Sequence, residues 1–224
     1  MSRRRFAIAL AISVSASGAI RAQQQSATAL VNDPEANAQL MSIVSSARDA
    51  GLPIEPIVSK VQYAVVVAHA PAPRIVAAAR AIAARLEVAR DALMPQPSGL
   101  EIAAGADALG APGVEPKQLR AVRAASPRQS VVVPLGVLAQ LVSSGVSSSD
   151  ATQIVTDLIK HGVSPRQLVA LGNDVNSDIA HGETAAKALD IRWRGLNAVL
   201  APGGGASAAA ANAPGLSATG PKKP

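Results

Sequence analysis

The chain has 224 residues, with 21 Lys and Arg against 15 Asp and Glu, a net charge of +6 and no Cys. The absence of Cys excludes disulfides and thiolate metal sites. Four of the arginines lie within the first 22 residues and two lysines lie near the end, so residues 23–200 carry no net charge. Phosphate recognition needs a concentrated positive field, and single-strand binding also needs stacking aromatics. The composition therefore argues against nucleic acid as a partner.

The N-terminus has the pattern of a cleavable export signal. Arg3–Arg5 form a basic region, and an uncharged, mostly apolar region follows at 7–20, which is the order found in signal peptides. This run is shorter and less apolar than a membrane-spanning helix. We therefore predict a signal peptide at 1–22, cleaved after Ala22 or alternatively after Ala19, and no stable membrane anchor in the mature protein.

The same region leaves the export route open. Residues 2–6 read S-R-R-R-F and resemble the twin-arginine export pattern, although Ala7 and Ile8 replace its usual Leu and Lys. That resemblance implies folding before export, whereas an arginine-rich start also suits the general secretory route. Both routes predict an extracytoplasmic protein, either periplasmic or secreted.

Helix signals follow a loose segment at 23–32. Asp33 and Pro34 predict the N-cap and first residue of a helix that ends at Gly51. A second helix is predicted from residue 52 to 69, and a continuous apolar stripe predicts a third at 74–93. The Pro-rich segment at 95–99 predicts a break. The domain at 33–200 could therefore divide into lobes 33–94 and 100–200.

The second half predicts shorter helices. Two valine-rich runs, at 65–67 and 131–133, resemble strands, but the first lies in a long run without turn residues and Pro134 follows the second, so we favour helices. Residues 201–224 are rich in Gly, Ala and Pro and predict a disordered tail. The fold class is all-α, a compact bundle of short and medium helices. The predicted helices of this half are 100–109, 116–125, from near 134 to 144, 150–161, 165–171 and 183–200.

A short unit recurs along the chain, in which Gly, an apolar residue and a capping residue follow each other. It starts at Gly51, Gly113, Gly145 and Gly162. Such a unit predicts a tight corner, in which Gly takes the left-handed conformation and the next residue folds back, as in a Schellman motif. Two interpretations remain open: a corner common to Ala-rich helical proteins, or a helical hairpin at 51–93 that is duplicated at 145–189.

Three histidines are candidate functional residues: His69, His161 and His181. Two of them lie at predicted helix C-termini, which favours interaction with the negative end of the helix dipole. The alternative is a metal site that adds Asp157 or Glu183. No two histidines have the i, i+4 spacing that places two ligands on one helical face, so we assign no metal ligand.

Two further clusters are candidate binding sites. Residues 174–178 read D-V-N-S-D and resemble the opening of an EF-hand or dockerin calcium loop, with oxygens at alternating positions at Asp174 and Asp178. Ile179 and Ala185 replace the Gly and Glu that such a loop needs, so a polar helix end or turn is favoured. Trp193 lies between two arginines and either closes the bundle or anchors a partner.

No nucleophile motif, reactive Cys or phosphate loop is present in the sequence, so we assign no catalytic residue and no cofactor. The sequence predicts an exported binding or scaffolding module whose partner is an envelope protein. One alternative is an envelope hydrolase or lyase that uses His161 or His181 with a nearby acid. Another is a weak metal or calcium binder. The oligomeric state is left open.

Overall fold

The computed structural model describes residue 31 and residues 33–200. The predicted signal peptide with its cleavage at Ala22, most of the segment at 23–32 and the predicted tail at 201–224 lie outside the described residues. Every regular element between residues 33 and 200 is an α-helix, which confirms the predicted all-α class. In chain order these helices are α1 (Pro34–Asp49), α2 (Glu55–Val66), α3 (Ala72–Ala92), α4 (Gly99–Ala108), α5 (Pro116–Ala125), α6 (Val132–Ser143), α7 (Ser148–Lys160), α8 (Pro165–Ala180) and α9 (Ala185–Leu200).

Both valine-rich runs are helical, as predicted. Val65 and Val66 end α2, with Val67 as its C-cap. Helix α6 begins at Val132, two residues before Pro134, with Val131 as its N-cap. Pro134 lies in the first turn of α6, where backbone N–H groups have no partner inside the helix, so its missing donor costs little. Asp33 caps α1 as expected, because its Oδ1 accepts the N–H of Glu35 at 2.9 Å.

The predicted end of α8 was wrong. The apolar periodicity predicted a helix at 165–171, but α8 continues to Ala180. Its polar continuation has partners on α6, because Gln140 donates to the Oδ1 of Asn173 at 3.2 Å and the Ser144 hydroxyl donates to Asn176. These side-chain hydrogen bonds act together with the buried Val175 to stabilise the continuation of α8 beyond residue 171.

The chain divides into two compact units, one up to Ala83 and one from Ala84. The boundary lies within α3. The first unit contains α1, α2 and residues 72–83 of α3. Its apolar core includes Leu40, Ile57 and Ile75, all nearly inaccessible to solvent.

The second unit is organised around α6. This helix packs against α4, α5, α7 and α8, and α8 packs against α9. It carries no charged residue, and its buried side chains include Leu135, Leu138 and Leu141. A helix without a polar face is typical of an interior position, and α6 occupies one.

The predicted corners form at three of the four glycines. Gly51, Gly145 and Gly162 have φ angles of 70°, 96° and 73°. In each corner the residue after Gly donates its N–H to the carbonyl five positions earlier, at 2.9–3.1 Å, which is the Schellman pattern. Gly113 also has positive φ, but it follows a turn rather than a helix, so the Schellman prediction was wrong there. Gly182 forms the same corner with a polar residue after it.

The tetrapeptide Ser-Pro-Arg-Gln occurs twice in the chain, at 126–129 and at 164–167, and the two copies differ in structure. Ser164 begins α8 and accepts the N–H of Gln167 in a capping box. Ser126 instead follows the end of α5, is buried, and leads into a loop. The guanidinium of Arg123 donates to the carbonyls of both Ser126 and Gln129. Tertiary contacts therefore decide the conformation of this tetrapeptide.

A buried ion pair joins the ends of three helices in the second unit. Glu101, in the first turn of α4, is 6 % exposed. Its Oε1 accepts from the Arg123 guanidinium at 2.7 Å and from the N–H of Val131 at 3.1 Å, and its Oε2 accepts from the N–H of Ser98 at 2.9 Å. One carboxylate thus links the start of α4 to α5 and to the start of α6.

The same contacts set the acidity of Glu101. Burial alone would raise its pKa, but hydrogen bonds from Ser98, Arg123 and Val131 outweigh burial and lower the pKa to about 2. Because this lies below the usual value of 4.5, the ionised pair adds stability above about pH 4.5. That contribution is lost as the pH falls from 4.5 towards 2.

We predict that Glu101→Gln lowers the free energy of unfolding at pH 7 by roughly 2–4 kcal/mol, since it leaves Arg123 without its counter-charge. Urea denaturation at several pH values would measure this effect. The difference from the wild type should shrink between pH 4.5 and 2, where Glu101 becomes protonated. Glu87→Gln, at an exposed position on α3, is the control and should change little at any pH. A constant difference down to pH 2 would contradict the assignment.

Close helix packing in the second unit depends on Gly105 in α4. A Cβ at this position would lie 3.0 Å from Ala89 Cβ, 3.0 Å from Leu93 Cδ1 and 3.2 Å from Leu119 Cδ2. Such distances are too short for ordinary contacts, so α4 approaches α3 and α5 more closely than a side chain would permit.

We expect Gly105→Ala to destabilise the protein by about 1–3 kcal/mol, because overpacking outweighs the gain in helix propensity. Gly136→Ala is the matched change, since Gly136 lies in α6 with no atom within 4 Å of its added Cβ. There the free energy of unfolding should rise by about 0.5–1 kcal/mol. Chemical denaturation of both variants tests the contrast, and a gain at both sites would refute the proposed close packing.

Candidate functional site

Three large side chains on α2 are exposed together. Tyr63, Val66 and Val67 are 54 %, 59 % and 59 % exposed. The first two lie on α2 and Val67 is its C-cap. Positions i, i+3 and i+4 share one helical face, so these three residues form a continuous apolar surface, which we call the α2 stripe.

The α2 stripe lies away from the buried side of the helix. Ile57, Val61 and Ala64, at i, i+4 and i+7, face the core of the first unit. The stripe residues therefore contribute little to this core. This includes Tyr63, which is the only Tyr in the chain. Large apolar side chains that cluster on a surface are typical of interaction sites.

The corner after α2 departs from the others at His69. It is the one non-Gly residue with positive φ among the described residues, at 44°. The next N–H, from Ala70, donates to the carbonyl of Ala64 at 2.9 Å and holds the turn. His enters the left-handed region more readily than most residues, yet the conformation still costs about 1–2 kcal/mol relative to Gly. Sequence reasoning predicted a helix through His69 and missed this conformation.

His69 also borders a shallow cavity of about 430 Å³ in the first unit. The wall is mostly aliphatic and includes Val31, Val65 and Ile75, while Asp33 and His69 supply its polar groups. Pockets that hold apolar groups have this composition, with a few polar groups that orient the occupant. The cavity and the α2 stripe thus occur at the same end of α2.

The other two histidines have structural roles. His161 and His181 are exposed C-caps of α7 and α8. The Nδ1 of His161 lies 2.7 Å from the carbonyl of Asp157, and that of His181 lies 2.6 Å from the carbonyl of Ser177. A carbonyl can only accept, so each Nδ1 carries the proton. Both residues thus lie at helix C-termini. The sequence predicted this for His161, at the end of 150–161, but not for His181, because the helix before it was predicted to end at residue 171.

Asp174 and Asp178 lie inside α8 rather than in a loop, so the resemblance to a calcium loop does not extend to structure. The Arg192 guanidinium donates to both oxygens of Asp178 at 2.6 Å, and Asp174 lies 3.6 Å from the same group. These hydrogen bonds lower the pKa of Asp178 and raise that of Arg192. A two-bond pair of this kind fixes geometry as well as charge, and here it joins α8 to α9.

Trp193 is half-buried on α9, four residues after the buried Leu189. The two neighbouring arginines are already occupied. Arg192 binds Asp178, and Arg194 pairs with Asp190 one turn earlier at 2.9 Å. The cluster therefore presents one aromatic side chain but no unpaired guanidinium.

The remaining predicted acids are also paired with cations. Asp157 lies 3.7 Å from Lys160, and Glu183 lies 2.8 Å from Lys187. Within residue 31 and residues 33–200, no three His, Asp or Glu side chains come close enough to hold a metal ion. The structure thus places His161, His181 and their neighbouring acids in helix-capping and ion-pairing contacts.

Sequence reasoning missed the α2 stripe and the Glu101–Arg123 pair. A signal for the stripe was present in the sequence, because Tyr63, Val66 and Val67 fall outside the i, i+4, i+7 spacing of the buried residues of α2. No local signal marked the ion pair, whose partners are 22 residues apart.

Comparison with family models, curated proteins and solved structures gave no match to this chain. Of the helices that the structure describes, none has both the length and the apolar character needed to span a membrane.

We predict that His69→Gly is more stable than His69→Ala by about 1 kcal/mol, because Ala cannot adopt a positive φ without strain. Thermal and urea unfolding would measure the difference. Gly162→Ala, at another residue with positive φ, should lose a similar amount. If His69→Ala were the more stable of the two, the strained conformation of His69 would be refuted.

Proposed function

We propose that this protein is an exported, non-enzymatic binding or scaffolding module of the cell envelope, and that the α2 stripe receives an envelope protein. The observation that carries the proposal is the joint exposure of Tyr63, Val66 and Val67 on one helical face. Burying these side chains on association would remove apolar area from water, which stabilises a complex by about 25 cal/mol for each Å² buried.

The chemistry of the stripe supports a protein partner. Aromatic residues are enriched in protein interfaces, and Tyr63 adds a hydroxyl that can pair at the rim. Unit 1 carries four acidic and four basic residues between positions 31 and 83. This balance offers no concentrated field for phosphate groups.

The polar groups of the second unit also favour binding over catalysis. A hydrolase or lyase that used His161 or His181 would need a nearby carboxylate that accepts the imidazole N–H and holds the ring as a general base. His161 and His181 direct Nδ1 to carbonyls of their own helices, and their neighbouring acids pair with lysine or arginine. These contacts support a structural role for the residues on which the enzymatic alternative depends.

Export is part of the proposal and rests on the sequence of residues 1–22. The basic start, the apolar run and the small residues around Ala22 support it. A chain without Cys is suited to an oxidising compartment, because no thiol can form an unwanted disulfide.

We predict that a photo-crosslinking amino acid at Val66 yields a defined protein adduct in the cell-envelope fraction of the producing cell. The adduct is expected because the partner would contact the α2 stripe directly. The measurement is the mass of the adduct and the identity of the crosslinked peptide.

Ser45, exposed on α1, is the control position and should give no such adduct. Val67→Ser combined with the crosslinker at Val66 should reduce the yield, while Val169→Ser should not. Identical adducts from Val66 and Ser45, or none from Val66, would count against the proposal.

A further inference from the structure

We propose that the partner of the α2 stripe presents an amphipathic α-helix with a carboxylate beside its apolar face. This inference rests on the proposed function, since it specifies the chemistry of the protein that the stripe binds. It follows from the geometry of α2, the size of the stripe and the charge next to it.

The geometry favours a helix as the partner element. Tyr63 and Val67 are separated by four residues, or about 6 Å along the helix axis. This distance is about one helical turn. A second helix that crosses α2 with its ridges packed into the grooves of α2 makes contact over about that length. Strand addition would need an exposed sheet edge, and no β-strand occurs among the described residues.

The composition of the stripe argues against a second copy of this chain as the occupant. Three side chains cover far less than the roughly 800 Å² per partner that a stable specific interface buries, so any partner must add contacts of its own. A self-complementary contact would also pair two surfaces that each present Lys60, and the stripe residues of the second copy would supply no carboxylate for it. A different protein that supplies its own anchoring side chains is therefore the better occupant.

The positive charge of Lys60 beside the stripe favours a negative charge on the partner. The Lys60 ammonium lies 5.4 Å from the centre of the Tyr63 ring, one turn before it on the same face. Lys60 forms no ion pair with any carboxylate between residues 33 and 200. A partner carboxylate beside the apolar face would pair with this ammonium at the rim of the contact, where a charge mainly gives specificity.

The corner cavity can extend the contact. It begins at Val65 and His69, immediately beside the stripe in sequence, and its aliphatic wall suits one large apolar side chain from the partner. The strained backbone of His69 holds the imidazole at the edge of this cavity. An aliphatic side chain of the bound helix would fill the cavity while its neighbours cover the stripe.

The chain offers a direct probe, because Tyr63 is its only Tyr. Incorporating 3-fluorotyrosine into the mature protein places a single ¹⁹F label in the stripe. Two synthetic helical peptides with the same apolar face would be titrated, one with Glu and one with Lys beside that face. We expect the acidic peptide to shift the ¹⁹F signal and to bind about fivefold more tightly than the basic peptide.

Lys60→Glu should reverse this order, whereas Lys117→Glu, on a different helix, should preserve it. Equal binding of the two peptides, or no shift with either, would overturn the inference. A ¹⁹F shift that depends on protein concentration alone would identify a second copy as the occupant and would also overturn it. A specific adduct at Val66 without a preference between the peptides would refute the carboxylate and leave the proposed function standing.

Discussion

The second unit depends on a single buried carboxylate. Glu101 takes hydrogen bonds from the start of its own helix, from Arg123 on α5 and from the residue that precedes α6. A buried charge without partners is strongly unfavourable, so these three helix ends are held together wherever Glu101 is ionised. Because α6 is the helix against which α4, α5, α7 and α8 pack, the position of its first turn influences most of the unit.

The sequence predicted the helices well where the signals were local. Asp33, Ser147 and Ser164 cap helices as expected, and glycines with positive φ end three of them as predicted. These devices act within a few residues, so they can be read without tertiary structure. The end of α8 and the loop after Ser126 could not be read in this way, because contacts from α6 and from Arg123 decide them.

The candidate residues show the same division. His161 lies at the helix C-terminus that its sequence position predicts, whereas His181 caps α8, whose end was wrongly predicted at residue 171. The pairing of Arg192 with Asp178 required the approach of α9 to α8, which periodicity does not specify. The polar residues that the sequence singled out thus form helix caps and contacts between helices. The exposed α2 stripe is instead formed by Tyr and Val, residue types that usually lie in a core.

The positions of the aromatic residues distinguish the α2 stripe from the rest of the described surface. The chain carries one Tyr and one Trp, the residues that remove the most apolar area when buried, yet its cores are built from Leu, Ile, Val and Ala. Tyr63 lies mostly exposed beside Val66 and Val67, and the adjacent corner holds His69 in a conformation that Gly would adopt more easily. Exposed apolar area and backbone strain at one helix end both oppose folding stability. Their coincidence at the end of α2 is the observation on which the proposed binding role rests.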